Sequence, residues 1–160
     1  MADDRQRSFE TFVRTDGERL RRVLASQYGV EVGVDAADAA LAWAWEHWDR
    51  VEAMDNPAGY LYRVARTRAG RAVERGRRVT LPSEPRSVTD EHSAQVAIDL
   101  ADALRDLTER QRVAVLMVHA YGWTPTELAD LMGLPAVTIR SHLRRGLRRL
   151  RTALEKEGIR

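Results

Sequence analysis

The sequence predicts an all-α protein: two small helical domains joined by a flexible linker, the second carrying a helix-turn-helix. Apolar residues recur at helical spacing along most of the 160 residues, the pattern of amphipathic helices that bury one side. Residues 79–97, VTLPSEPRSVTDEHSAQVA, interrupt it with two prolines and several Ser and Thr, a composition that keeps a chain extended and unpacked. Residues 124–151, TPTELADLMGLPAVTIRSHLRRGLRRLR, spell two helices, the turn between them and a basic outer face on the second. A chain of this length buries one modest core or two small ones, and a segment of about 70 residues is near the lower limit for folding alone. The expected domains are residues 1–78 and 98–160.

The first predicted helix runs from Ser8 to Tyr28, with Phe9, Phe12, Val13, Leu20, Val23, Leu24 and Tyr28 at helical spacing. Gly29 and Gly33 bracket a turn, and Asp35 begins a second helix, AADAALAWAWEHWDRV. There Leu41, Trp45 and Trp48 share a core face, while Trp43 lies off it as an exposed anchor for a protein contact. Asp55-Asn56-Pro57 is a loop and helix-start signal, and a third helix follows from Pro57 to about Arg78. Its core stripe is Leu61, Ala65, Ala69 and Ala72, with Arg63, Arg66 and Arg77 on the opposite side. Tyr60 and Tyr62 near its start have two readings. They either finish the core or, interleaved with arginines, stack on single-stranded bases.

In the second domain Leu100, Ala103, Leu104 and Leu107 share one side of a helix. Thr108 and Gln111 form a capping box ahead of VAVLMVHAYG, and Trp123 packs where the helix-turn-helix begins. Thr124 caps the next helix, Glu127 reaches back to it, and Pro125 sits where no donor is needed. Leu128, Ala129 and Met132 make the apolar side of that helix. Gly133 tolerates the positive φ of a sharp exit. Beyond Pro135, Ile139, Leu143, Gly146, Leu147, Leu150 and Leu154 fall within an arc of roughly 100° and form the buried side. Arg140, Arg144, Arg148 and Arg151 point away, and Arg145 and Arg149 flank the arc. A face of this kind is either solvated charge or a major-groove reader, for which phosphates supply affinity and base edges supply choice. The turn grammar, small Ala129 at the helix crossing and six arginines with no acid over residues 136–151 favour the reader.

The formal charge is only +2, yet residues 62–78 and 136–151 each carry +6, leaving −10 on the rest. Two concentrated positive surfaces on an acidic body suit an anionic polymer touched at two places. Of the 26 basic residues 25 are Arg, the residue suited to phosphate and base recognition. There is no Cys, so disulfides and thiolate metal sites are ruled out. His47, His92, His119 and His142 lie in separate segments, none spaced for a metal. With no phosphate loop, nucleophile elbow or apolar acidic pair, the chain is read as having no catalytic residues, no cofactor and no enzyme activity. No stretch is apolar enough to span a bilayer and no signal core opens the sequence, so a cytoplasmic location is expected.

Two stretches carry a family resemblance. Leu107 to Arg151, LTERQRVAVLMVHAYGWTPTELADLMGLPAVTIRSHLRRGLRRLR, resembles the C-terminal, promoter-binding region of bacterial sigma factors of the small extracytoplasmic-function type in the sigma-70 family. EHWDRVEAMDNPAGYLYRVARTRAGRAVER resembles the sigma region that binds core RNA polymerase and holds the melted −10 element. The resemblance implies a promoter-specificity subunit: its first domain docks on the β′ coiled coil and stabilises melted −10 DNA, and its second reads the −35 duplex and meets the β flap. The linker would thread through the polymerase, and an anti-sigma protein wedged between the domains is an implied partner.

Carried over by position, the −10 contacts fall on Asp55, Asn56, Tyr60, Arg63 and Arg66. The polymerase contacts fall on Trp43, Glu46 and Trp48, the last matching the family's tryptophan. The −35 contacts fall on Thr138, Arg140, Ser141, Arg144 and Arg145, with Arg148 and Arg149 on phosphates. The sequence departs from the family at three places: Pro135 replaces the usual Ser cap, Thr67 replaces an Asn, and Ala and Trp residues stand where the second helix usually has Gln-Glu. Two other readings are an autonomous helix-turn-helix regulator, which would bind duplex alone, and a sigma-like decoy that binds protein without recognising DNA.

Overall fold

In a computed structural model, which describes residues 2–76 and 91–156, every regular element is helical. Arg77, Arg78 and linker residues 79–90 lie outside the described residues. Helix α1 (Ala2–Phe12) passes through a π-helical stretch, Val13–Gly17, into α2 (Glu18–Tyr28). The helix expected from Ser8 therefore starts a turn and a half earlier and contains a wide turn. Gly29, at φ 88°, ends α2 in a conformation that strongly favours glycine.

Gly33 does not bracket a turn. It lies inside α3 (Val30–Glu46), where a Cβ would come 2.2 Å from the Leu24 carbonyl oxygen. Its missing side chain lets α3 cross the backbone of α2 at close range, so it serves packing rather than chain reversal. A second difference follows at His47, whose ring Nδ1 lies 2.9 Å from the Trp43 carbonyl oxygen and whose own φ, −118°, leaves the helical range. The chain restarts as α4 (Trp48–Glu52). The buried stripe of α3 runs through Ala37, Leu41 and Ala44 and continues at helical spacing to Trp48, which leaves Trp45 at its edge. Leu41 and Trp48 are buried as expected, but Trp45 is 39% exposed, lying under the Arg5 guanidinium at 4.5 Å and beside Phe9. Trp43 is half-buried.

Helix α5 (Pro57–Glu74) begins where Asn56 accepts a hydrogen bond from Gly59 N at 2.8 Å. Its stripe Leu61, Ala65, Ala69 and Ala72 is buried. Tyr62 joins the core, its hydroxyl donating to Gln27 Oε1 at 2.8 Å, which resolves that tyrosine in favour of packing.

In the second half α6 (Glu91–Arg105) takes in residues 91–97, expected to be linker. Ala103 and Leu107 are buried, Leu104 is half-buried, and Leu100 is 41% exposed, contrary to its expected place on the core side. Helix α7 (Glu109–Val115) opens on the Thr108–Gln111 capping box and widens into a π-helical stretch, Leu116–Ala120. Helices α8 (Pro125–Met132) and α9 (Ala136–Lys156) follow. Ile139, Gly146 and Leu150 seat α9, whereas Leu147, expected on the buried arc, is 40% exposed.

The two halves do not hold separate cores. Leu20, Leu24, Trp48 and Leu61 belong to the same cluster of buried residues as Val113, Met117, Leu128 and Ile139. A smaller cluster of Ala103, Leu107, Val115 and Leu150 ties α6, α7 and α9. The seam between halves centres on Arg112 of α7. Its Nε donates to Ser26 O and its Nη2 to Gln27 O, both at 2.9 Å. These carbonyls belong to the last turn of α2, where acceptors have no partner within the helix and a cation is favoured by the helix dipole. Burial lowers the Arg112 pKa, opposed by nearby Glu109. Arg19 pairs with Glu127 at 3.3 Å across the same seam.

Candidate nucleic-acid interface

The helix-turn-helix is built as its residues require. Thr124 Oγ1 accepts from Glu127 N at 3.1 Å while Glu127 Oε2 accepts from Thr124 N at 2.8 Å, so two helix-start donors are satisfied reciprocally. The bond from Thr124 N, a second from the Thr124 hydroxyl to Glu127 Oε2 at 3.1 Å, and nearby Arg19 hold the Glu127 carboxyl below its usual pKa. Gly133 adopts φ 66° in the left-handed region and lets α8 end. Pro135 replaces a side-chain cap by its carbonyl, which accepts from Thr138 N at 2.9 Å and Ile139 N at 3.3 Å. The start of α9 is thus held by backbone despite the departure from Ser. At Gly146 a Cβ would meet Val115 Cγ2 at 2.8 Å and Gln111 O at 3.3 Å, so the glycine sets how closely α9 lies on α7.

This seating turns Arg140, Arg144, Arg145, Arg148, Arg149 and Arg151 outward, all exposed; Thr138 and Ser141 are half-buried. The ridge is not folded against the first half. Arg149 differs from the others, because its Nη1 donates to Gln111 Oε1 at 3.2 Å. That bond holds it toward α7, off the crest. His142 is half-buried, and burial, then Arg110 and Arg145, lower its pKa, favouring the neutral ring. A residue the sequence reading passed over, Val137, stands on this surface 68% exposed. Its spacing of three, four and seven residues to Arg140, Ser141 and Arg144 was the signal.

The −10 candidates are spread from the entry of α5 over its first three turns. Asp55 is exposed, and Asn56, besides capping α5, donates through Nδ2 to the Asp130 carbonyl of α8 at 3.1 Å. Tyr60 is half-buried, its ring 5.9 Å from that of Trp43. Arg63 and Arg66 line one open groove of about 530 Å³ with Tyr28, Arg71 and Glu74. The polymerase candidates part company. Trp43 stacks on His47 with ring centres 4.4 Å apart, and Glu46 is exposed. Trp48 is 2% exposed, between Phe9 and Phe12, with Nε1 donating to Ser8 Oγ at 3.3 Å. A side chain so enclosed presents no surface to a partner in this arrangement. Among the described residues no group of three His, Cys, Asp or Glu could hold a metal ion, and no helix is long and apolar enough to cross a membrane.

A helix-turn-helix with an uncovered arginine ridge defines a nucleic-acid-binding protein of the all-α class. The family described as "Sigma-70, region 4" matches residues 97–150. An RNA polymerase sigma-E factor of Streptomyces coelicolor is 34% identical over 154 residues, covering 91% of this chain and 85% of the relative. An ECF RNA polymerase sigma factor, SigL, of Mycobacterium tuberculosis is 30% identical over 149 residues, covering 83% of this chain and 84% of the relative. The sigma factor RpoE from Bartonella quintana, solved in complex with the anti-sigma factor NepR, shares the fold with a TM-score of 0.62 at 22% identity, covering 92% of this chain and 97% of that one. The chain belongs to the sigma-70 family of RNA polymerase sigma factors, in its extracytoplasmic-function group. The regulator and decoy readings gain no observation of their own.

Proposed function

We propose that this sigma factor binds core RNA polymerase and divides promoter recognition between its two basic surfaces, residues 1–78 holding melted −10 DNA and residues 98–160 reading the −35 duplex. The observation that carries the reading is the outward ridge of α9, six exposed arginines without an acid among them, on a helix seated by Ile139, Gly146 and Leu150. Arg140, Ser141 and Arg144 stand where a recognition helix meets base edges, with Thr138 and Arg145 beside them. Arg148 and Arg151 lie further along and suit phosphates, as does Arg149 once released from Gln111.

Around the start of α5, Asp55, Asn56 and Tyr60 receive an unstacked base, and Arg63 and Arg66 track the backbone. Base capture offsets a few kcal/mol of lost stacking and pairing without hydrolysis. The chain therefore needs no catalytic residues of its own, and polymerase supplies the chemistry. The Asn56 amide gives one of its two hydrogens to Asp130 O, so base capture through that nitrogen uses the second hydrogen or exchanges the first.

Trp43 and Glu46 are the polymerase-facing residues on α3, directed at the β′ coiled coil, and the second half meets the β flap. Trp48, enclosed by Phe9 and Phe12, is left out of the partner contact. An anti-sigma protein is proposed as a further partner, supported by the complex in which the Bartonella sigma factor was solved. The site of action is the cytoplasm, where polymerase and promoter meet.

Run-off transcription with reconstituted core enzyme tests the proposal. The chain is expected to direct specific transcripts from a cognate promoter while binding duplex poorly alone. Duplex binding without polymerase would favour a regulator, and polymerase binding without transcripts from any promoter in a genomic library would favour a decoy.

A further inference from the structure

Val137 is the most exposed of the large apolar side chains among the described residues, and it stands on the arginine ridge rather than beside it. Arg140, Ser141, Arg144 and Arg148 follow at spacings of three, four, seven and eleven residues. At about 100° per residue the five lie within an arc of roughly 100°. Ile139, Gly146 and Leu150, which seat the helix, face the other way. Val137 therefore contributes nothing to the seating of α9. A branched hydrocarbon also adds nothing to phosphate binding, which the neighbouring guanidinium groups already supply.

A major groove does offer an apolar partner. Each base pair presents donors and acceptors there, and only thymine adds a methyl group, at C5. Val137 is the second residue of α9, near the N-terminal end from which recognition helices reach base edges. The arginines that follow it along the ridge, Arg140 and Arg144 first, would draw the helix into the groove and bring the valine to base-edge depth.

We propose that Val137 is a specificity-determining residue that reads a thymine methyl in the upstream promoter duplex, a role resting on the assignment of α9 as the −35 reader. Arg140, Ser141 and Arg144 supply hydrogen bonds to neighbouring positions, and Val137 makes one position depend on a methyl group rather than on a donor or acceptor.

The test uses holoenzyme reconstituted from the full chain and core polymerase. Its preferred upstream element is selected from duplexes randomised at that region. Each thymine of the selected element is then replaced by deoxyuridine, which removes the methyl and leaves every hydrogen-bonding group in place. At one position this change is expected to weaken wild-type binding about fourfold, the equivalent of one buried methyl-sized group. Val137→Ala should bind the thymine promoter more weakly, melt at the wild-type temperature, and lose the thymine–deoxyuridine difference at that position. Val137→Ile should keep it. A flat deoxyuridine scan, a selected element without thymine, or a methyl dependence that survives unchanged in Val137→Ala overturns the inference while leaving α9 as the reader. A holoenzyme that selects no upstream sequence overturns the −35 assignment itself, and this inference with it.

Discussion

Arg112→Met is expected to destabilise the whole chain by about 3 kcal/mol. The substitution keeps an unbranched side chain of similar length but removes two donors 2.9 Å from the Ser26 and Gln27 carbonyl oxygens. A hydrogen bond to a charged group contributes roughly 1.5–3 kcal/mol. Two such bonds give at most about 6 kcal/mol, and the cost of burying a guanidinium offsets about half of that gross figure, leaving ~3 kcal/mol. Replacing a buried charge by an apolar group relieves strain only when its partners are replaced as well. Here both carbonyls stay, at the end of α2 and without intrahelical partners. Urea unfolding followed by tryptophan fluorescence would measure the loss, with exposed Arg50→Met as the control. In a chain of this size a loss of ~3 kcal/mol corresponds to a melting temperature lower by roughly 6–12 °C. If Arg112→Met unfolds within about 0.5 kcal/mol of the control, the range of ordinary surface changes, these bonds do not hold the halves together.

Gly33→Ala is expected to cost at least 1–3 kcal/mol, roughly the overpacking range, because its Cβ would sit 2.2 Å from a backbone oxygen that cannot rotate aside; thermal melting by circular dichroism checks it, and an unchanged midpoint refutes the close crossing. Tyr62→Phe should lose about 1 kcal/mol with the bond to Gln27. It should also alter alkaline unfolding. Burial pushes the Tyr62 pKa up to about 12, so its contribution is fully present below about pH 10, the unfolded value, and is lost as pH rises from there through 12. Wild type should steepen its loss of stability across that window, and Tyr62→Phe should lose part of the steepening; identical profiles would contradict the assignment. Arg144→Ala is expected to weaken holoenzyme binding to promoter duplex and lower the salt slope by about one; an unchanged slope in a salt titration removes Arg144 from the ridge's DNA contacts.

The parts legible in the sequence were those fixed by local chemistry. Both Thr capping boxes, the left-handed Gly133 and the stripe Leu61–Ala65–Ala69–Ala72 each depend on residues within a few turns of one another, and each appears in the structure as expected. What depends on distant packing was harder to read. Gly33 has the composition of a turn residue, yet its role comes from α2 lying against it. Trp45 has the right spacing from Leu41 for a core, but the buried stripe runs from Leu41 and Ala44 to Trp48 and leaves Trp45 at its edge, where Phe9 and Arg5 of α1 cover it only in part. Leu100 and Leu147 have the right period for a core, but no element covers them fully. In the candidate site, the outward arginines follow directly from periodicity. The hold of Gln111 on Arg149 and of Asp130 O on Asn56 joins residues 38 and 74 positions apart, beyond any local pattern.

The shared cluster beneath both halves links their melting. Val113 and Met117 rest among the same buried residues as Leu20 and Leu24, so neither half loses its order without uncovering oily surface on the other. Cutting the chain at its linker would thus give two fragments, each weaker and stickier than the whole, and calorimetry of the intact molecule should record a single heat-absorption peak.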